Sequence, residues 1–319
     1  MLTPPTRDQE IQNLTANDTL IFEDMSSDVY HAHDGISSTQ IKDALNSMMY
    51  FDHKYNRGLI KQPDADHFCV GRLTHTLILE PHKTLDEYME MPAIPKPNQS
   101  QRERYDRWVK RGKPDKSEYK DYPTDIMIER CELWDSLDPG NKTLVDKEQW
   151  DLANNMANAC KANPAVARML IYKGVEIENS YFKRDGNTGF VLKARPDIKI
   201  NNMIADVKSI SLRTRPDEHH LINVLRSEVY RRHYHVSAAM YCDIADANEF
   251  ILIFVNKEPN YHWVAVVEMN VEMISKGRAI YLEALSKIEQ CTKTGVWPGP
   301  ESIAIETDQD NTTFTIPIL

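Results

Sequence analysis

Several features are scarce in this 319-residue sequence, and each scarcity closes off a class of explanation. No run of about 18 apolar residues occurs, so no segment reads as a transmembrane helix. The opening residues, Met1-Leu2-Thr3-Pro4-Pro5-Thr6-Arg7-Asp8, lack the basic-then-apolar order of a secretory signal. Cysteine is sparse. Cys69, Cys131, Cys160, Cys242 and Cys291 are scattered and odd in number, which reads as reduced thiols in a cytoplasm. Their spacing does not suit an iron–sulfur cluster, so none is expected. The pattern G-x-x-x-x-G-K-[ST] is missing, which excludes a P-loop motor within this chain. Positive charge is in deficit: 38 Lys and Arg stand against 48 Asp and Glu, a net charge of −10. The surface is therefore not coated in phosphate-binding lysines. A locally basic channel is still compatible with that balance, because salt confines each charge's field to about 8–10 Å. No internal repeat or low-complexity tract is present.

What is there begins with Arg195-Pro196-Asp197, followed nine residues later by Asp206-Val207-Lys208. Met203–Ile210 reads as a short, largely buried strand. Side chains alternate along a strand, so Asp206 and Lys208 share one face and Val207 points to the other. Two charges on one face of such a strand are costly unless they pair or bind a metal. Asp197 is expected to end the preceding strand and return to the same spot. The spacing Asp–x8–Asp–x–Lys is that of a metal-dependent phosphodiesterase site, in which two acids hold Mg²⁺ and the lysine orients or deprotonates the attacking water. The histidines His67, His219, His220, His233, His235 and His262 show no metal-ligand spacing with a cysteine or acid.

Along the chain, residues 1–30 are polar and acidic and are expected to form a loose arm. A helix with a serine or threonine cap begins near Ser37-Ser38-Thr39, before Ile41 and Leu45. A helix over 71–81 carries His75. Residues 92–125, rich in Pro, Lys and Arg, read as an insertion in a single domain covering 31–300, helical from Gln101 to Lys110. Helical spacing recurs over 146–162 and 164–170. Glu178–Lys183 and Phe190–Arg195 form a hairpin about the turn 185–189. Helices follow over 217–231 and 234–245, strands over 249–255 and 263–268, and a long amphipathic helix over 271–292. The tail 301–319 is polar apart from a last apolar patch. Basic residues cluster at 102–120, where a solvated helix face is as good a reading as a DNA contact. They cluster again at Arg213 and Arg215 and at Arg226, Arg231 and Arg232, just after the charged strand, where a DNA-facing role is favoured.

Pro196-Asp197 with Asp206-Val207-Lys208 resembles the PD-(D/E)xK nuclease superfamily. His75 matches the helical histidine of its RecB-like branch. Tyr234–Tyr241 resembles the helix after the core, where the family has a Gln-x-x-x-Tyr pair; here Ser237 replaces the glutamine and Tyr241 is kept. Together with the hairpin leading to Asp197, the chain is similar over about residues 30–300 to the nuclease domain of the RecE (exonuclease VIII) family and its phage relatives. That resemblance implies an α/β (α+β) restriction-endonuclease-like core, with a central mixed β-sheet flanked by helices and a helical N-terminal region. It implies Mg²⁺, with Mn²⁺ able to substitute, held by Asp197, Asp206, His75 and the Val207 carbonyl. Lys208 is then the catalytic lysine, and Glu178 reaches a second metal through water. DNA contacts are expected from Tyr241, Ser237, Arg195, Arg213 and Arg215, and from Ser38 or Thr39 by analogy with the hydroxyl that binds the terminal phosphate in a related phage enzyme. A plain N-cap is the competing reading of those hydroxyls.

The implied activity is a 5′-to-3′ exonuclease on double-stranded DNA ends that leaves 3′ overhangs for a RecT-like annealing protein. A homo-oligomeric ring, trimer or tetramer, is implied too, with no membrane partner. A RecB-like endonuclease or repair-complex nuclease subunit, and a DNA-binding scaffold with an inactive nuclease fold, remain open alternatives.

Overall fold

The structure, a computed structural model, describes residues 6–16, 18–61, 66–137, 139–213, 218–299, 304–306 and 313–315. Chain contacts divide it into two compact units, residues 1–64 with 159–319, and residues 65–158. The sequence reading instead draws one domain over 31–300, interrupted only at 92–125.

The larger unit begins with α1 (Arg7–Gln12), β1 (Thr19–Phe22), α2 (Ser27–Ala32), β2 (Ile36–Ser37), α3 (Ser38–Asn46) and α4 (Met48–Phe51), which runs on as one π turn over Asp52–Asn56. The smaller unit holds α5 (Asp66–Leu79), α6 (Thr84–Glu87), β3 (Tyr88–Glu90), α7 (Gln99–Lys110), α8 (Asp125–Ser136) and β4 (Thr143–Val145). The boundary back to the larger unit falls within α9 (Lys147–Ala162). There follow α10 (Pro164–Leu170), β5 (Glu176–Ile177), β6 (Ser180–Arg184), β7 (Val191–Ala194), β8 (Ile198–Ile200) and β9 (Met203–Ile210). Then come α11 (Glu218–Arg231), α12 (Tyr234–Ala245), β10 (Glu249–Asn256), β11 (Val264–Glu268) and α13 (Val271–Thr294), with a short antiparallel ribbon of β12 (Ala304–Glu306) and β13 (Thr313–Thr315).

Two mixed sheets form the larger unit. One runs β1-β6-β7-β2, and the other runs β11-β10-β9-β8-β5. β9 and β10 are parallel, joined by the crossover helices α11 and α12, while β8 pairs antiparallel with β9. A parallel pair needs such a crossover, and its strands are covered on both faces. This is why Ile204, Ala205 and Val207 of β9 and Phe250, Leu252, Ile253 and Phe254 of β10 are all buried. The helix α12 is buried from His235 to Met240 and packs on α13, α3, β6 and β7. Its approach to α13 is close enough to require glycine: a Cβ on Gly277 would lie 2.0 Å from the His235 carbonyl oxygen.

Residues 6–16 and 18–30 are packed, which corrects the loose arm over that stretch. Ile11, Leu14, Met25 and Tyr30 form an apolar cluster with Phe182, and β1 pairs along β6 from Thr19↔Lys183 to Phe22↔Ser180. Two cations tie this segment down. The Lys193 ammonium donates to the carbonyls of Tyr30 (2.9 Å), His31 (3.3 Å) and His33 (2.5 Å). Arg184 donates to those of Leu14 (2.5 Å) and Gln12 (2.6 Å). Polar composition conceals these anchors, because the partner strands lie more than 150 residues away in sequence.

Within the smaller unit four residues of the basic cluster are paired with acids. Arg102 pairs with Asp106 at 3.1 Å and also with Asp135. Arg104 and Arg107 each reach Asp121 at 3.0 Å, and Lys113 reaches Glu132 at 3.1 Å. Those pairs favour the solvated-face reading over a DNA contact. The five cysteines are buried, and no disulfide joins them. Among the described residues no helix is long and apolar enough to cross a membrane.

Candidate active site

The site forms where β8 runs out beside β9. β8 accompanies β9 only from Ile200↔Met203 to Ile198↔Ala205. Two residues further along β9, the Val207 N–H faces the same side with no strand to receive it. Asp197, lying just before β8, fills that gap: its Oδ2 accepts the Val207 N–H at 2.6 Å. Asp197 therefore opens β8 rather than closing the strand before it, a correction to the sequence reading. A carboxylate has taken the place of a strand carbonyl, which fixes it against the charged stretch of β9.

On that stretch Asp206 is buried and Lys208 half-buried. They share one face and form an ion pair. Glu178 joins them from the β5–β6 turn, with a carboxylate oxygen within 4.8 Å of an Asp197 oxygen. Its backbone is held at φ 53°, in the left-handed region that a residue with a Cβ rarely adopts. Strain of this kind persists only where the surroundings impose it, and it gathers at functional sites. The imposing contacts are the Glu178 N–H to the Asp197 carbonyl (3.3 Å) and the Arg195 Nε to the Glu178 carbonyl (2.8 Å).

The electrostatics follow from three acids in one buried pocket. Burial pushes the Asp197 carboxyl well above the usual carboxylate range, and the Asp206 charge adds to this; Lys208 and the Val207 N–H oppose it. Burial works against the Lys208 ammonium, yet Asp206 and Asp197 outweigh it and hold the amine above its ordinary value. In this paired state Lys208 keeps its proton and can donate a hydrogen bond, but cannot act as a base. Tyr241, on α12, is also pushed up, by burial first and then by the Asp206 and Asp197 charges, with a side-chain hydrogen bond from Ser38 opposing. Tyr241 thus looks at the acids from across the site.

The other expected site residues are distributed unevenly. Ser38 is buried at the first turn of α3, but the N-cap is Ser37, whose side chain receives the Gln40 N–H in a capping box. Thr39 is exposed. Ser237 is buried on α12, and its hydroxyl has no hydrogen-bond partner among the described residues. Arg195 is already engaged, by the Glu178 carbonyl and carboxylate (3.6 Å) and by the Met25 carbonyl, so the geometry makes it a structural clamp rather than a DNA contact. The Arg213 side chain is 90% exposed, 3.9 Å from Glu258. Arg215 lies outside the described residues. His75 is half-buried on α5 of the smaller unit. The sequence reading missed Lys42 on α3, whose ammonium lies 5.9 Å from the centroid of the Tyr234 ring that Lys208 also faces at 5.9 Å. A lysine on an amphipathic helix carries no sequence signal that separates it from a solvated one.

A family described as the PDDEXK-like domain of unknown function (DUF3799) matches residues 37–307. The chain belongs to that family. No curated protein matches the sequence. Among solved structures, one from Eubacterium rectale, to which an exonuclease function is ascribed, is similar over 86% of this chain and 89% of its own, with a TM-score of 0.54 at 12% identity. At that identity the likeness concerns the fold, a mixed α/β nuclease-like architecture. A phage related exonuclease from Haemophilus somnus 129PT aligns over 67% of this chain and 95% of its own, at 13% identity and a TM-score of 0.30, too low to support an argument.

The donor set fits a divalent cation. Asp197, Asp206 and Glu178 supply oxygen donors of the kind Mg²⁺ and Mn²⁺ accept, and the Asp206 and Glu178 charges, which add to burial in raising the Asp197 carboxyl, are ones a cation would offset.

Proposed function

We propose that this protein is a metal-dependent exodeoxyribonuclease that degrades one strand of duplex DNA from its 5′ end and leaves a 3′ overhang. The observation that carries the nuclease reading is the Asp197–Asp206–Lys208 constellation at the end of β8, a buried acid pair with a protonated lysine beside it. Asp197, Asp206 and the Val207 carbonyl would hold Mg²⁺ or Mn²⁺, and Glu178 would reach a second ion through water. An ion there would supply a lowered water pKa and offset charge on the phosphate. Lys208 would donate a hydrogen bond to the attacking water, orienting it for in-line attack, or to a non-bridging phosphate oxygen. Tyr241 donates its hydroxyl to the backbone of the nucleotide beside the scissile bond. Its ring already packs edge-on against Phe250, 6.3 Å between centroids, so a hydroxyl contact suits it better than base stacking.

The polarity, the 3′ overhang, a ring of copies around the DNA and delivery of the overhang to a RecT-like annealing protein rest on the RecE resemblance. Linear duplex labelled at the 5′ end on one sample and the 3′ end on another tests this reading. Early release of 5′ label as mononucleotide, with closed circular duplex left intact, is expected. Cutting of the closed circle would instead favour a RecB-like endonuclease.

A further inference from the structure

We infer that Lys42 is a phosphate-contacting residue of this site, receiving a phosphodiester oxygen of the DNA backbone beside Tyr234 and Lys208. The inference rests on the nuclease reading above and adds a residue to it. Three observations support it. First, Lys42 stands four residues after Ser38 on α3, so both side chains leave the same face of that helix. Ser38 is bonded to Tyr241, and Lys42 lies over Tyr234, whose ring also faces Lys208. The face of α3 that carries Ser38 and Lys42 is thus aimed at the acids of β9.

Second, among the described residues no acid forms an ion pair with Lys42, and its ammonium forms no hydrogen bond. The acids that could serve are engaged elsewhere. Asp43, next on the helix, accepts from the Lys54 ammonium at 2.8 Å and the Tyr55 hydroxyl at 2.6 Å. Asp206 is paired with Lys208. Third, the amine is desolvated. Burial, with Lys208 adding to it, pulls it down to about 8, while Asp206 and Asp43 resist. A half-buried ammonium without a partner is costly to keep unless a ligand supplies the counter-charge. A phosphodiester is the anion that this site would bring to it, and Lys serves phosphate as a point charge without needing bidentate geometry.

The test uses the full chain and a fluorescein-labelled linear duplex in EDTA, with anisotropy followed across a salt series. Lys42→Met keeps the length of the side chain and removes its charge; Lys42→Arg restores the charge. Lys42→Met should weaken binding about tenfold or more and make the slope of log K against log salt shallower by about one. Lys42→Arg should recover most of both. The melting temperature of Lys42→Met should equal or exceed that of the wild type, since an unpaired cation has been removed from a half-buried position. Unchanged affinity and slope in Lys42→Met would overturn the inference. So would weaker binding at an unchanged slope, with a lowered melting temperature and no recovery in Lys42→Arg, because that pattern marks a packing role. Cleavage of the same duplex by the wild type with Mg²⁺ is scored separately. No cleavage, with the salt-slope difference intact, removes the nuclease reading and leaves the phosphate contact standing. Cleavage without any slope difference does the reverse.

Discussion

Replacing Asp197 with asparagine separates what this carboxylate does for the fold from what it does for the chemistry. The residue is 6% exposed, and its carboxylate accepts the Val207 N–H at 2.6 Å and has a Glu178 oxygen within 4.8 Å. Asparagine keeps the shape and can still accept that hydrogen bond through Oδ1. Only the charge is lost. Two unit charges at 4.8 Å repel by about 3–4 kcal/mol at an effective dielectric constant of about 20. Asp206 adds to that repulsion, and Lys208 offsets part of it. A proton on Asp197 relieves it as well, so only a fraction is felt at neutral pH. Asp197→Asn should therefore stabilise the metal-free protein by about 1 kcal/mol near pH 8, a rise of about 2 °C in melting temperature. The pH dependence has a definite sign. The carboxyl is raised in the folded state, so its contribution to stability is complete below the ordinary carboxylate pKa of about 4 and is lost as pH climbs through the folded value. The advantage of the variant should thus grow from about pH 5 to about pH 8. Thermal melts in EDTA at both pH values measure this, and Mg²⁺ should then raise the melting temperature of the wild type more than that of the variant. Nuclease activity should be lost. A variant that melts lower than the wild type at pH 8, or that still cleaves DNA well, would refute the reasoning.

Other perturbations give equally distinct outcomes. Lys208→Ala should lower kcat far more than it weakens DNA binding, because the ammonium acts on the water or phosphate in the transition state, and Lys208→Arg should not restore it; lost affinity at unchanged kcat would make Lys208 a phosphate anchor instead. Ser237→Ala removes a buried hydroxyl without a partner and should leave the melting temperature equal or slightly higher, whereas Ser237→Gln should overpack α12 at a cost of about 1–3 kcal/mol. A joint rise of stability and activity in Ser237→Gln would contradict that and restore the glutamine of the resemblance. Gly277→Ala would set a Cβ 2.0 Å from the His235 carbonyl oxygen, so it should destabilise by about 3 kcal/mol or more, read as a fall in denaturant midpoint; a neutral result would mean that α12 and α13 can slide apart freely.

Much of the larger unit is legible in the sequence where the signal is local. Met203–Ile210 and Tyr234–Ala245 occupy the expected residues, since apolar continuity in one and a polar break before Tyr234 in the other fix both ends. The acid–acid–lysine set is legible too, because charge inside a buried strand is anomalous on its own. What could not be read depends on distant partners. β1 looks like a polar arm until β6 is placed beside it. β8, three residues long, carries too little pattern to be seen, and with it went the fact that Asp197 opens a strand. Arg195 looks like a DNA contact until Met25 and Glu178 are found to occupy its guanidinium. Lys42 looks solvated until Tyr234 and Lys208 arrive from more than 160 positions away in the chain.

The central claim, that the acids around β9 with Lys208 hydrolyse DNA with a divalent cation, is tested most directly by one comparison. Linear duplex DNA is incubated with the wild-type protein and with Asp206→Asn, each in Mg²⁺ and in EDTA, and released nucleotide is measured. The expected result is steady release by the wild type in Mg²⁺ alone, with none from Asp206→Asn in either condition while its far-UV circular dichroism stays that of the wild type. Release by the wild type in EDTA, or by Asp206→Asn at a rate close to the wild type, would contradict the account.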